Sequence, residues 1–212
     1  TMLRQVAITG IISIGMSFVI ITGGIDLSVG SIAGVSSVIA AMLMLEGISV
    51  FTSIIITLLI SLLYGLFNGF LITVFKMQPL IATLGTQTSL RGLAFIVTGG
   101  LPVFGFSDKF GEFANGSLGV VPYPVILMIV IFILAFFILK KSIFGRYVYG
   151  VGGNAEATRL SGISVTKIKL VTYTLSSFLA GVAGLVLLSR TNSGQPSAGV
   201  GYEMDAITAV VL

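Results

Sequence analysis

The stretch GRYVYGVGGNAEATRLSGISVTKIK, residues 145–169, decides how this chain is read. It is the longest polar interruption in a sequence that is otherwise nearly continuous hydrocarbon. Counted from Lys140 and Lys141 just before it, residues 140–169 carry six of the eleven Lys and Arg and a single acid, Glu156. Short loops with that bias stay on the cytoplasmic side of a membrane. The stretch therefore predicts a cytoplasmic surface for a soluble partner, and it orients the apolar segments on either side.

Those segments set the class. The chain of 212 residues is 56% hydrophobic and 8% charged, where a soluble domain carries about 25% charged residues. Water is not its main solvent. Apolar runs near 6–22, 27–45, 50–75, 80–98, 122–139 and 168–189 approach the roughly 20 residues needed to span a bilayer, and 203–212 reads as the start of another. None alternates as a barrel strand does. The expected fold is all-α, a polytopic transmembrane helical bundle. Residues 1–212 read as a single membrane domain, incomplete at both ends because Thr1 is not an initiator Met and Leu212 falls inside an apolar run. By parity from the cytoplasmic loop, 99–120 lies outside, with Lys109 set against Asp108 and Glu112. Lys76 and the GGIDLSVG turn lie inside, and Arg4 lies outside.

The net charge of +4 is concentrated in one juxtamembrane loop and implies no nucleic acid. With no Cys and no His, zinc, iron–sulfur and thiol chemistry are excluded. No metal, cofactor or catalytic residue is expected.

Polar residues inside the apolar runs are the candidates for function. In Gly23–Gly30, GGIDLSVG, two glycines relax the backbone, and Asp26 or Ser28 then caps the next helix. The alternative is a broken helix beside the transport path, since a carboxylate at membrane depth is tolerated only in protein or beside water. Gly30 with Gly34, and Gly65 with Gly69, have the small-xxx-small spacing that lets helices approach closely. Thr57, Ser61, Tyr64 and Asn68 form one polar stripe, and Thr83, Gln87 and Arg91 a second. Such stripes serve either interhelical hydrogen bonding or a conduit for a hydroxyl-rich solute. Arg91 should have a partner, Asp26 or helix-end carbonyls. In the basic loop, Asn154 fits an N-cap, with a short helix over 155–161, Arg159 late in it and Gly162 as its stop.

Four stretches carry a resemblance: GMSFVIITGGIDLSVGSIAG (15–34), IATLGTQTSLRG (81–92), residues 145–169, and QPSAGVGYEMDAITAVVL (195–212). In these the chain resembles the membrane permease subunits of bacterial ATP-binding cassette importers for simple sugars, most of all those for ribose. The resemblance implies a dimer of permease subunits in the inner membrane. A cytoplasmic ATPase pair would bind beneath, and a periplasmic or lipid-anchored sugar-binding protein would deliver a monosaccharide such as ribose. It also implies that 153–162 is the coupling helix through which the ATPase acts. Glu156, Ala157 and Gly162 fit a Glu-Ala-Ala pattern with Gly six residues on, while Thr158 departs from it. The chain has no GxxxxGK[ST] phosphate loop, so ATP hydrolysis would belong to the partner. Two rivals stand beside this reading: a permease of the same superfamily for branched-chain amino acids or nucleosides, and a gradient-driven secondary transporter using Asp26 and Arg91.

Overall fold

The computed structural model describes residues 2–106 and 108–212. The apolar runs become α1 (Met2–Ile21), α2 (Val29–Leu45), α3 (Val50–Thr73), α4 (Pro79–Thr98), α6 (Tyr123–Lys141), α9 (Val165–Thr191) and α10 (Tyr202–Val211). Between them lie α5 (Asp108–Asn115), α7 (Ile143–Gly153) and α8 (Ala155–Leu160). A short antiparallel hairpin, β1 (Ser117–Leu118) and β2 (Val121–Pro122), precedes α6. Helices α1, α3, α4, α6 and α9 are long and apolar enough to cross a membrane, while α2 is equally apolar but has 17 residues. The chain is an all-α polytopic membrane bundle, as its composition predicts.

The 27-residue α9 is the axis of the bundle. Helices α1, α2 and α3 pack around it, at sites where one partner is glycine. A Cβ on Gly65 would stand 2.6 Å from Thr174 Cα and 2.7 Å from Tyr173 O, and one on Gly15 would stand 3.0 Å from Ser176 Cα. Close backbone approach is what associates helices in lipid, where burial of apolar surface supplies no drive. At the other extreme, α6 buries only Pro124 and Ala135. Its remaining apolar side chains suit a hydrocarbon surround.

The Gly30/Gly34 pair serves a different neighbour from the helix expected. After α9 the chain does not leave the bundle. Residues 192–201 run back along α2 without helical structure, from Ala41 beside Gly194 to Gly30 beneath Gly199. A Cβ on Gly34 would meet Ala198 O at 2.5 Å. The spacing permits close approach as expected, but of a non-helical run of turns.

Two connectors are more ordered than the sequence suggests. Residues 99–120 contain α5, which docks on α9 through Ser189: its Oγ donates to Phe110 O (2.5 Å) and accepts from Ala114 N (3.0 Å). The expected charge group there falls partly on the side chains of Asp108 and Lys109, which lie outside the described set. Within 140–169, α7 is helical despite four glycines, which disfavour helix. Val148 and Val151 override that preference by burial against Ile168.

Candidate functional site

Asp26 sits where α1 has ended at Ile21 and α2 has not begun. Its side chain is wholly buried. Oδ1 accepts from Ser28 N (3.0 Å) and Ser28 Oγ (2.6 Å), and Oδ2 accepts from Ser176 Oγ (3.2 Å). This corrects the expectation of an N-cap. The cap position of α2 is Ser28, and its hydroxyl bonds Asp26 instead of a helix N–H. The carboxylate closes a turn on the backbone two residues ahead, a habit of Asp that competes with capping. Ser176 is the twelfth residue of α9, so the turn between α1 and α2 lies at bundle depth.

From Ser28 the bonds continue across the bundle. Asn68 Nδ2 donates to Ser28 Oγ (2.8 Å), and Thr86 Oγ1 donates to Asn68 Oδ1 (2.6 Å). Leu27 N donates to Thr83 Oγ1 (3.2 Å). Asp26, Ser28, Asn68 and Thr83, from the turn and two helices, thus share one buried network. Deeper along α3, Ser61 Oγ and Ser36 Oγ are 3.0 Å apart, and Thr57 is buried one turn away.

Gln87 and Arg91 lie further along α4. Gln87 Nε2 donates to Glu203 Oε1 (2.9 Å). Glu203, 6% exposed in the first turn of α10, rests over Gly30, and its Oε2 has no partner. Arg91 does not pair with Asp26. Hydroxyls occupy that carboxylate, and one terminal guanidinium nitrogen of Arg91 is buried without a hydrogen bond. Sequence reasoning missed Thr86, Ser176 and Glu203. Thr86 adjoins Gln87 and Ser176 sits in a Ser pair, but neither carries a charge to mark it. Glu203 is an acid in a polar stretch, and only the return of 192–201 into the bundle buries it.

At the end carrying the basic residues, α8 projects from the bundle. Asn154 Oδ1 accepts from Ala157 N (2.9 Å), which makes Asn154 the N-cap. Gly162 ends the helix with φ +83°, a conformation that favours glycine. Arg159 clasps Glu156 at 2.6 and 3.0 Å, and this pair holds the Glu156 carboxyl below its ordinary pKa. Ala157, Arg159 and Ser161 are exposed, while Thr158 is buried and its Oγ1 bonds Asn154 O. A Cβ on Gly152 would collide with Ile21 O. The α7–α8 unit therefore rests directly on the end of α1, five residues before Asp26. Among the described residues no group of three or more metal-ligating side chains occurs.

A buried carboxylate turn, a polar network joined to it and an exposed capped helix on one bundle define a class: a polytopic membrane protein with a polar interior and a helix projecting from one end. Over residues 1–212 the sequence matches the family model for the branched-chain amino acid transport system / permease component, and the chain belongs to that family. It is 46% identical to the ribose import permease protein of Bacillus subtilis, over 100% of this chain and 66% of that protein. It is 46% identical to the ribose import permease protein of Haemophilus influenzae, over 99% of this chain and 66% of that one. It is 38% identical to the L-arabinose ABC transporter permease protein of Azospirillum brasilense, over 100% of this chain and 62% of that one. The chain thus spans about two thirds of the length of these relatives. No solved structure matches it. The chain is a multi-pass protein of the bacterial inner membrane.

Proposed function

We propose that the chain is the core of a transmembrane subunit of an ATP-binding cassette importer, and that the subunit passes a monosaccharide such as ribose. The observation that carries this reading is α8. It is capped at Asn154, stopped at Gly162, exposed on its outer face and joined directly to α7, which is seated against the end of α1 at Gly152. A helix so fixed moves as a rigid lever. In this reading 140–169 is cytoplasmic and a separate ATPase docks at Asn154, Glu156, Ala157, Arg159 and Gly162. A push on α8 reaches Ile21 and the Asp26 turn, where Ser28, Asn68 and Thr83 join the turn to α3 and α4. Nucleotide shifts the bundle between outward- and inward-facing states because it binds the two with different affinity. A sugar-binding protein supplies the solute from the far side, and a second permease copy completes the path.

The relatives named above carry pentoses, which supports a sugar over branched-chain amino acids or nucleosides. A gradient-driven transporter is the second reading. It draws support from Asp26, a buried carboxylate that has hydroxyl partners and no ion pair among the described residues.

The absence of cysteine allows one experiment to separate them. Ser161→Cys in the full-length protein, with every cysteine outside residues 1–212 replaced by serine, places a single thiol on exposed α8. ATP-sensitive cross-linking to a cytoplasmic ATPase in native membranes supports the importer. A thiol labelled from the cytoplasm but never cross-linked favours the gradient-driven reading. A thiol reached only from outside overturns the orientation.

A further inference from the structure

Between α1, α6 and α7 runs an open groove of about 500 Å3. Phe132, Phe136 and Leu139 of α6 form its wall, Ile14 of α1 lies opposite, and Lys140, Arg146 and Tyr149 stand at its mouth. A second cavity of about 430 Å3 shares Ile14, Ser17 and Phe132 with it and continues the seam to Met128, beside α10. The groove therefore follows α6 from Lys140 to Met128. Twelve residues at 1.5 Å each make about 18 Å, close to one leaflet of a hydrocarbon core about 30 Å thick.

The chemistry changes along that length. The inner part is hydrocarbon and aromatic apart from Ser13 and Ser17, whose hydroxyls donate to carbonyls of α1 itself. The mouth carries two cations and a tyrosine, the residue types that settle at a membrane–water interface. Lys140 Nζ lies over the Phe136 ring at 5.1 Å, so its charge is held at the rim. No acid lies among the lining residues, and the one ion pair among the described residues is Glu156–Arg159. Lys140 and Arg146 thus meet no acid of this chain in the groove.

We infer that this groove binds an anionic phospholipid, with one acyl chain along the α1–α6 seam and the phosphate between Lys140 and Arg146. An apolar slot of leaflet length with cations only at its open end complements that molecule at both ends. A zwitterionic lipid fits the slot but leaves the cations unbalanced. A neighbouring protein helix would fill the slot, but would need acids at the mouth to match it. The site rests on the membrane embedding of the chain and on the remainder of the full-length protein leaving the groove open to lipid, not on the transport reading. Which leaflet supplies the lipid follows from the orientation proposed above.

These 212 residues contain no tryptophan, so Phe132→Trp in the full-length protein, with every tryptophan outside them replaced by phenylalanine, makes the groove the only indole site. The purified protein is reconstituted in vesicles where either phosphatidylglycerol or phosphatidylcholine carries brominated acyl chains, which quench tryptophan on contact. Each cation near a headgroup favours an anionic lipid about fivefold. Brominated phosphatidylglycerol should therefore quench at several-fold lower mole fraction than brominated phosphatidylcholine. Adding Lys140→Gln and Arg146→Gln should erase the difference. Phe51→Trp, on the exposed face of α3, should respond equally to both lipids and also reports that the protein has folded. Equal quenching by both lipids at Phe132→Trp would reduce the groove to ordinary lipid contact. Quenching by neither would mean that protein covers it, either another part of the full-length chain or a second copy. Either result overturns the inference.

Discussion

Asn68→Leu tests whether the buried network is an energetic unit. Asn68 is wholly buried on α3 and holds both neighbours, Ser28 Oγ at 2.8 Å and Thr86 Oγ1 at 2.6 Å. Leucine has the same branching and heavy-atom count but a larger volume, so no cavity forms, and any overpacking cancels in a double-variant cycle. Neither partner is orphaned. Ser28 Oγ still donates to Asp26 Oδ1, and Thr86 Oγ1 still reaches Ala82 O at 3.1 Å. The loss is therefore two interhelical hydrogen bonds and no desolvated remnant. Such bonds average about 0.6 kcal/mol each in membrane proteins, which gives about 1.2 kcal/mol. The assay is reversible unfolding of the full-length protein in mixed micelles of rising sodium dodecyl sulfate content. Wild type, Asn68→Leu, Ser28→Ala and the double variant close a thermodynamic cycle. The coupling between the two positions should be about 0.6 kcal/mol. Coupling indistinguishable from zero would refute the link between the turn and α3. A single-variant loss above about 3 kcal/mol would refute the premise that the partners remain satisfied.

Other predictions follow from packing and from α8. Gly65→Ala places a methyl against the backbone of α9 at Thr174 and Tyr173 and should cost about 1–3 kcal/mol. Gly85→Ala meets nothing within 4 Å and should leave stability unchanged or raise it by up to about 1 kcal/mol. The same micelle unfolding measures both, and equal effects would mean that α3 and α9 are not in close contact. Gly162→Leu forces an L side chain to φ +83° at about 1–2 kcal/mol, so ATP hydrolysis should persist while sugar uptake falls. Gly162→Asn, which tolerates that backbone, should retain uptake, and normal uptake by the Leu variant would sink the lever reading at this residue. Glu156 has its pKa lowered by Arg159 from an ordinary 4.5. A depressed carboxyl contributes stability above its unfolded pKa and loses it as pH falls through the folded one. The α8 brace should therefore persist at neutral pH and fail only in acid. Carbon-13 NMR of Glu156 should show a midpoint below 4.5 that rises in Arg159→Gln, and an unmoved midpoint would discount the pair.

Much of the bundle was legible because lipid imposes simple rules. Each spanning helix announced itself as an apolar run, and α8 could be placed from Asn154 and Gly162 because capping is local chemistry. The polar stripes on α3 and α4 also pointed inward as written. What escaped the sequence was long-range. Asp26 meets Ser176 across 150 residues, and no local signal told that its carboxylate would be filled by hydroxyls and leave Arg91 aside. Helix α7 was hidden because its glycines argue against helix, and only burial of Val148 and Val151 outweighs them. Nothing local in 192–201 marked it for burial, and it is the absence of side chains at Gly30 and Gly34 that opens a channel for it along α2.

That returning segment bears on how the protein is made. A helix satisfies its own backbone and can enter lipid alone, but residues 192–201 cannot. Their peptide groups find shelter only after α2 and α9 have come together, and the cross-link of Val103 with Gly194, N to O at 2.8 and 3.0 Å, also awaits the α4–α5 connector. Burial of this segment, and of the first turn of α10 that follows it, therefore depends on the α2–α9 contact having formed. A defect in the α2–α9 contact should then show as protease sensitivity within 192–201, a segment that is otherwise held against α2.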